Sequence, residues 1–239
     1  LKKKCTTTDN MFDVLIIGGG VSGISCALVL GSAKNKAFVT DKKIGIFTHQ
    51  KNSSLQEAVF YNAYGITPGK LGSELLVEST QDLAMTYPHI TQIPNEKVVK
   101  VEGTYPEFTV TTNKNTYKTK SIVIGIGSAN TFDIEGLMQY IEPHKKALPE
   151  KQRIQLKNDD HKVADGIYVI GTLAGWRSQL AIAAGSGAAV ATDILTLWNN
   201  GVQTHAHDSI RQINNILKTI KRLSFIKRKV LIFLNLLMV

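Results

Sequence analysis

Three glycines and one carboxylate carry the clearest chemical signal in the sequence. Gly18, Gly20 and Gly23 form G-x-G-x-x-G within FDVLIIGGGVSG, residues 12–23, with Val21 and Ser22 at the two positions before the last glycine. That spacing suits a pyrophosphate. The first glycine permits a tight turn, the second lets the backbone approach the phosphates, and the third lets a helix pack closely on a strand. Asp41 stands 18 residues beyond Gly23, close to the ~20 at which an acid hydrogen-bonds an adenosine ribose. The chemistry implied is the binding of an adenine dinucleotide.

Glycines alone are a weak sign, and the elements around them decide. Val14 to Ile17 is a short apolar run of the kind that forms a buried parallel strand. Ile24 to Ala33 reads as a helix, whose N-terminus offers unpaired N–H groups and a positive dipole end to phosphates. Ala37 to Thr40 reads as a second strand ending at Asp41. Strand, glycine turn, helix, strand and acid follow in the order that a dinucleotide fold requires.

Other chemistries find little support. Cys5 and Cys26 are the two cysteines, so there is no C-x-x-C, no disulfide framework and no zinc-ligand cluster. Cys26 lies on the first helix as a small core residue. His49, His89, His144, His161, His205 and His207 show no metal-ligand spacing. This cysteine usage fits a reducing cytoplasm, and the leader LKKKCTTTDN lacks the apolar core of a secretory signal. The formal charge is +9, but Lys2, Lys3 and Lys4 and seven Lys/Arg within 209–239 leave 18 basic against 19 acidic residues between 5 and 208. A near-neutral body argues against a nucleic-acid surface.

Beyond Asp41 the order of elements continues. Leu55 to Tyr64 reads as a short helix or a loop, followed by the turn-rich GITPGKLG, residues 65–72, and a helix from Ser73 to about Met85. Lys97 to Val101, Phe108 to Thr112 and Thr116 to Lys120 read as three strands, with Asn113-Lys114-Asn115 as a hairpin turn. Ser121 to Gly127 is a buried strand running into glycines. Ser128 to Gly166 is polar and poorly periodic. Ile167 to Ile170 is a further buried strand ending in Gly171-Thr172, and a long helix runs from about Trp176 to Trp198, stopped by Asn199-Asn200-Gly201.

This sequence resembles the FAD domain of thioredoxin-reductase-like flavoproteins, in the wider pyridine nucleotide–disulfide oxidoreductase superfamily. GGGVSG (18–23) is similar to the FAD pyrophosphate loop, and PGKLGSELL (68–76) to the P-G-x-x-G-x-E-L segment. SIVIGIG (121–127) falls where the family has a strand ending in A-T-G, and ADGIYVIGT (164–172) with RSQLAIAAGSGAAVA (177–191) resembles the closing G-x-[FY]-A-x-G-D motif and its helix. The resemblance implies an α/β fold, a Rossmann-like FAD-binding domain of a parallel sheet with helices plus a three-stranded β-meander; the residues after Gly201 add a C-terminal basic helical tail. It also implies FAD as cofactor, held by Gly18, Gly20, Val21, Ser22, Gly23, Asp41, Gly127, Gly171 and Thr172. The backbone of Gln179, Leu180 and Ala181 would lie at the flavin pyrimidine edge, and Arg177 would bind an anionic substrate or support the flavin.

Three departures stand out. The family inserts an NADPH-binding domain where this chain has the 38 residues from Ser128 to Asp165, fewer than the ~50 of a small domain. The redox C-x-x-C carried by that domain is missing with it, which argues against a dithiol relay. The family's Gly-Asp is Gly171-Thr172 here. A hydroxyl replaces a carboxylate, so a hydrogen bond worth about 1.5–3 kcal/mol gives way to one of about 0.5–1.5. FAD would be held less tightly.

The expected organisation is a polar leader (1–10), an FAD-binding domain (11–201) and a basic amphipathic and apolar tail (202–239). His205 to Lys221 places Ile210, Ile213, Ile216, Leu217 and Ile220 on one helical face, and Val230 to Val239 is too short for the ~20 residues of a membrane span. Packing on the domain, self-association into a homo-oligomer or a disordered end is the first reading of the tail, and peripheral membrane contact the second. The expected function is FAD-dependent oxidoreduction in the cytoplasm. Electrons would come from free NAD(P)H or from a small-molecule or protein redox partner. The residues leave two other readings open: a non-catalytic FAD- or nucleotide-binding sensor or assembly module, and a Rossmann-like enzyme holding NAD(P).

Overall fold

A computed structural model describes residues 11–50 and 53–207. The leader and the tail from 208 onward, with the amphipathic helix and apolar run expected there, lie outside the described residues. In chain order the elements are β1 (Met11–Ile17), α1 (Val21–Ser32), β2 (Ile44–Phe47), β3 (Val59–Phe60), β4 (Lys70–Leu71), α2 (Gly72–Thr86), β5 (Thr91–Ile93), β6 (Val98–Thr104), β7 (Glu107–Thr112), β8 (Thr116–Ile124), β9 (Ile141–Pro143), β10 (Ile154–Leu156), β11 (Lys162–Ala164), β12 (Ile167–Val169) and α3 (Leu180–Trp198).

β1 lies at the centre of the sheet because it is apolar on both faces, and a strand buried on both faces reads as a continuous apolar run. Its side chains alternate between two cores. Val14 and Ile16 pack with Ala27 and Leu30 of α1 and with Val190 and Ile194 of α3. Leu15 and Ile17 pack on the other face with Val101, Phe108 and Val110 of the meander and with Ile134 and Leu137. The principal sheet runs β5-β2-β1-β8-β12-β11. β5, β2, β1, β8 and β12 are mutually parallel, with Val14 opposite Ile44 and Ser121, and Ile17 opposite Phe47 and Ile124. β6 and β7 extend antiparallel from the first half of β8. The sequence split β8 in two. It is one nine-residue strand whose first half closes the meander and whose second half joins the parallel sheet.

The second strand is displaced from its expected place. Residues 37–41 are turn, held by successive bonds from Lys36 N–H to Ala33 O, Val39 N–H to Lys36 O and Lys42 N–H to Val39 O. Val39 is buried there as the plug of that turn. The strand is Ile44–Phe47, and the buried Asp13 fixes its start by accepting from Lys43 N–H at 2.9 Å and from Lys120 Nζ at 2.9 Å. Leu55 to Tyr64 holds a 3₁₀ turn at Ser54–Glu57 and the two-residue strand β3.

The segment from Ser128 to Asp165 is more ordered than its polarity suggested. β9 and β10 form an antiparallel ribbon, tied to the end of β8 by Ile154 N–H donating to Ser128 O at 3.0 Å. α3 begins four residues later than expected. By length and composition it is apolar enough to cross a membrane, but Val190, Ala191, Ile194 and Leu195 pack on α1 and the sheet.

Candidate functional site

Glycines let four segments converge at the C-terminal edge of the parallel strands, the edge at which open α/β sheets bind ligands. Gly18 has φ +119°, and a Cβ there would collide with the Gly125 carbonyl beyond β8. A Cβ on Gly23 would strike the Gly18 carbonyl, and one on Gly187 would strike the carbonyl of Ser22. Ser22 Oγ would lie 3.0 Å from a Cβ on Gly125 and 2.9 Å from one on Gly171. Ser25 Oγ donates to Ala184 O at 2.8 Å, which adds to the α1–α3 contact. These glycines are therefore structural: each sits where backbone meets backbone or a buried hydroxyl.

Two glycines differ. A Cβ on Gly20, the N-cap of α1, or on Gly127, just past β8, would meet nothing within 4 Å. The space above them is open, no side chain caps α1, and the first helical N–H groups have no intrahelical partner. A phosphate fits that geometry.

Asp41 does not join this cluster. It is exposed and lies three residues before Ile44, level with the start of β1. Strand rise puts that edge roughly 20 Å from the glycine turn. The C-terminal end of β2 carries Thr48, His49 and Gln50 instead. Gln50 Nε2 donates to Gly19 O at 2.6 Å, and a Cβ on Gly19 would lie 2.8 Å from Thr48 Cα. His49 Nδ1 is buried and has no hydrogen-bond partner.

Gly171 and Thr172 open a 3₁₀ turn that precedes α3. Gly171 N–H donates to Ser186 Oγ at 2.8 Å, and the Ser186 hydroxyl lies 2.9 Å from Nε2 of the buried His161. Trp176 Nε1–H donates to the same nitrogen at 3.2 Å, so Nε2 is the acceptor. Lys146 Nζ stands 4.1 Å above the Trp176 ring. His144 Nδ1 accepts from Lys146 N–H at 3.1 Å, which leaves Nε2–H to donate to Thr172 O at 3.0 Å. Arg177 and Gln179 are exposed. Gln179 precedes α3 without a capping side chain, and the first intrahelical bond is Ala183 N–H to Gln179 O, so the N–H groups of Leu180, Ala181 and Ile182 face out of the helix start.

His49, Gln50, His144, His161 and Ser186 were not singled out by sequence reasoning. The first two would have followed from placing β2 at IGIF. The others carry no sequence signal, because their partners are brought to them by the fold. Cys26 is fully buried, and burial pushes its thiol well up from the ordinary range. Among the described residues no cluster of His, Cys, Asp or Glu could hold a metal ion.

Known proteins share this architecture. A thioredoxin reductase from Gloeobacter violaceus matches with TM-score 0.60 at 14% identity, over 84% of this chain and 98% of that one. An oxidoreductase from Agrobacterium tumefaciens matches with TM-score 0.60 at 16% identity, over 78% and 98%. In sequence, a ferredoxin–NADP reductase of Leuconostoc mesenteroides is 26% identical over 91% of this chain and 60% of its own length. The uncharacterized oxidoreductase CzcO of Bacillus velezensis is 25% identical over 67% of this chain and 48% of its own length. The chain thus spans about half the length of the curated relatives it matches. A family model described as pyridine nucleotide-disulphide oxidoreductase matches residues 12–191. That match runs from β1 into α3 and takes in every glycine of the convergence, so the chain belongs to the pyridine nucleotide-disulphide oxidoreductase family.

Proposed function

We propose that this chain holds FAD along the C-terminal edge of its parallel strands and serves as the flavin-binding part of an oxidoreductase. The observation that carries the reading is that Gly20, at the uncapped start of α1, and Gly127, at φ +82° just past β8, are open beside Gly18, Gly23 and Gly125, whose space is filled. A side chain at either position would fill the space a pyrophosphate needs. FAD, when bound, supplies an isoalloxazine ring that accepts and passes on electrons.

The chain's own residues would bind and orient the cofactor. The N–H groups of Val21 and Ser22 at the start of α1 meet the pyrophosphate, favoured by the positive end of the helix dipole. Thr172 offers a hydroxyl toward the ribityl chain where relatives have a carboxylate. The N–H groups of Leu180 and Ala181 present a positive helix end to the pyrimidine edge, which favours negative charge there. Arg177 is exposed at the same loop and would bind an anionic substrate or support the flavin. Electrons come from NAD(P)H or from a redox partner rather than through a dithiol, since Cys26 is sealed in the core. That free, buried thiol suits a reducing cytoplasm. The domain of this reading comprises residues 11–201.

The test is the visible spectrum of the purified chain, followed by equilibrium dialysis against FAD. Yellow protein, or stoichiometric uptake of added FAD, is expected. Colourless protein that takes up none would refute the reading.

A further inference from the structure

We propose that His49 takes the place of the ribose-binding carboxylate, and that the adenosine end of this site therefore admits a 2′-phosphorylated ribose. The inference rests on the reading that the Gly18–Gly23 turn holds an adenine dinucleotide. In such folds the residue that follows the second strand meets the ribose: an acid there bonds the 2′-hydroxyl, whereas a cationic neighbour accommodates a 2′-phosphate. Here β2 ends at Phe47, and Thr48, His49 and Gln50 occupy that end.

Three observations converge on His49. Its Nδ1 is buried without a hydrogen-bond partner, and an unmatched buried polar atom is costly enough that native sites usually supply a partner. The residue as a whole is only half-buried, so its ring keeps an edge open to a ligand. The segment is also locked beside the nucleotide turn, through Gln50 Nε2 on Gly19 O at 2.6 Å and Thr48 Cα against Gly19. Thr48 N–H, bonded to Ile93 O at 3.0 Å, fixes the same stretch to β5.

Charge completes the argument. No acidic residue occurs between Lys42 and Gln56, and Asp41 lies at the opposite end of β2. A carboxylate at the ribose would repel a 2′-phosphate. An imidazole and a primary amide do not, and both can donate to phosphate oxygens. The ligand class is adenosine nucleotides with or without a 2′-phosphate.

The experiment is calorimetric titration of the FAD-free chain with ADP-ribose and with 2′-phospho-ADP-ribose, alongside FAD itself. The wild type should bind the two ADP-ribose ligands within about threefold of each other. His49→Glu should disfavour the 2′-phosphate by tenfold or more while FAD still binds. His49→Ala should weaken both ligands together. A wild-type preference of tenfold or more for the unphosphorylated ligand would overturn the proposal, and it needs no variant to read. An unchanged ratio in a folded His49→Glu protein would overturn it too. ADP-ribose binding with the expected ratio but no FAD uptake would refute the flavin reading and leave this one standing. FAD uptake with strong rejection of the 2′-phosphate would do the reverse, and failure of all three ligands to bind would overturn both.

Discussion

The side chain of His144 holds the main-chain carbonyl of Thr172 at 3.0 Å. His144 belongs to the segment that the resemblance sets at the family's domain insertion, and Thr172 to the turn that closes the proposed flavin site. The loop that follows β9 therefore buttresses that turn. His144 is buried, and its Nδ1 is engaged by Lys146 N–H, so the imidazole bridges two backbone groups. Removing it frees both. A neutral hydrogen bond contributes about 0.5–1.5 kcal/mol. His144→Ala should therefore weaken FAD binding by roughly two- to tenfold, read by fluorescence titration. His144→Gln, which can still donate to the Thr172 carbonyl, should recover most of the loss. Equal binding by wild type and His144→Ala would show that Thr172 is held by other contacts.

Gly20 and Gly23 lie three residues apart and should respond oppositely to the same change. Gly20 has ordinary extended backbone and free space around a Cβ. Gly20→Val should fold with a melting temperature close to wild type and take up no FAD, because the valine occupies the phosphate approach. A Cβ at Gly23 collides with the Gly18 carbonyl. Gly23→Val should lose several kcal/mol of stability through overpacking or fail to fold. Thermal melts with an FAD titration separate the two outcomes. Normal FAD uptake by Gly20→Val would remove the nucleotide from this turn.

The meander carries a buried carboxylate whose role is stability. Glu96 accepts from Thr112 Oγ1 at 2.6 Å, Asn115 Nδ2 at 2.8 Å and Tyr117 Oη at 3.0 Å, and the Thr112 bond leads in holding its pKa below the usual carboxylate value. A carboxyl with a depressed folded-state pKa stabilises the fold fully above its unfolded pKa, about 4.3. That contribution fades as pH falls through the folded value. Glu96→Gln should cost about 1–3 kcal/mol at pH 7, measured by urea unfolding. The gap between variant and wild type should narrow as the pH is lowered from 5 to 3. A gap that stays constant across that range would mean the bonds do not favour the ionised form.

Much of the site was legible because its signals are local. Gly18, Gly20 and Gly23 follow a run apolar on both faces and precede a helix, and none of that depends on distant residues. The position of β2 was not legible. Ala37 to Thr40 and Ile44 to Phe47 are both short apolar runs, and Gly45 inside the second weakens its strand character. The reason for that glycine is tertiary: a Cβ there would lie 2.6 Å from Leu15 Cδ2 and 2.8 Å from Phe12 Cε1 on β1. Asp41 was drawn into the site by a spacing rule and is excluded from it by the register of Val14 with Ile44. The Gly171–Ser186–His161–Trp176 chain was invisible for the same reason, since His161 meets Ser186 across 25 residues.

The last prediction concerns the electron donor. Hydride transfer needs the donor ring close to and stacked on the acceptor ring, and fixing such a pose can be worth about 7–11 kcal/mol of barrier. The resemblance assigns that task to an inserted domain, and this chain has the β9–β10 ribbon in its place. The ribbon bears a cleft of about 540 Å³ lined by Ile141, Pro143, His144, Leu148 and Arg153 among others. It shows no glycine turn leading into a helix, the device proposed to hold pyrophosphate at Gly18–Gly23. Free NADPH or NADH should therefore reduce the FAD-loaded protein slowly, at a rate that climbs almost linearly with concentration. Anaerobic stopped-flow at the flavin absorbance band, over micromolar to millimolar donor, reads this directly. Rapid reduction that saturates at micromolar NADPH would place a donor site in this chain. Arg153→Ala would then locate it: a raised half-saturation concentration with an unchanged limiting rate would assign the cleft to donor binding.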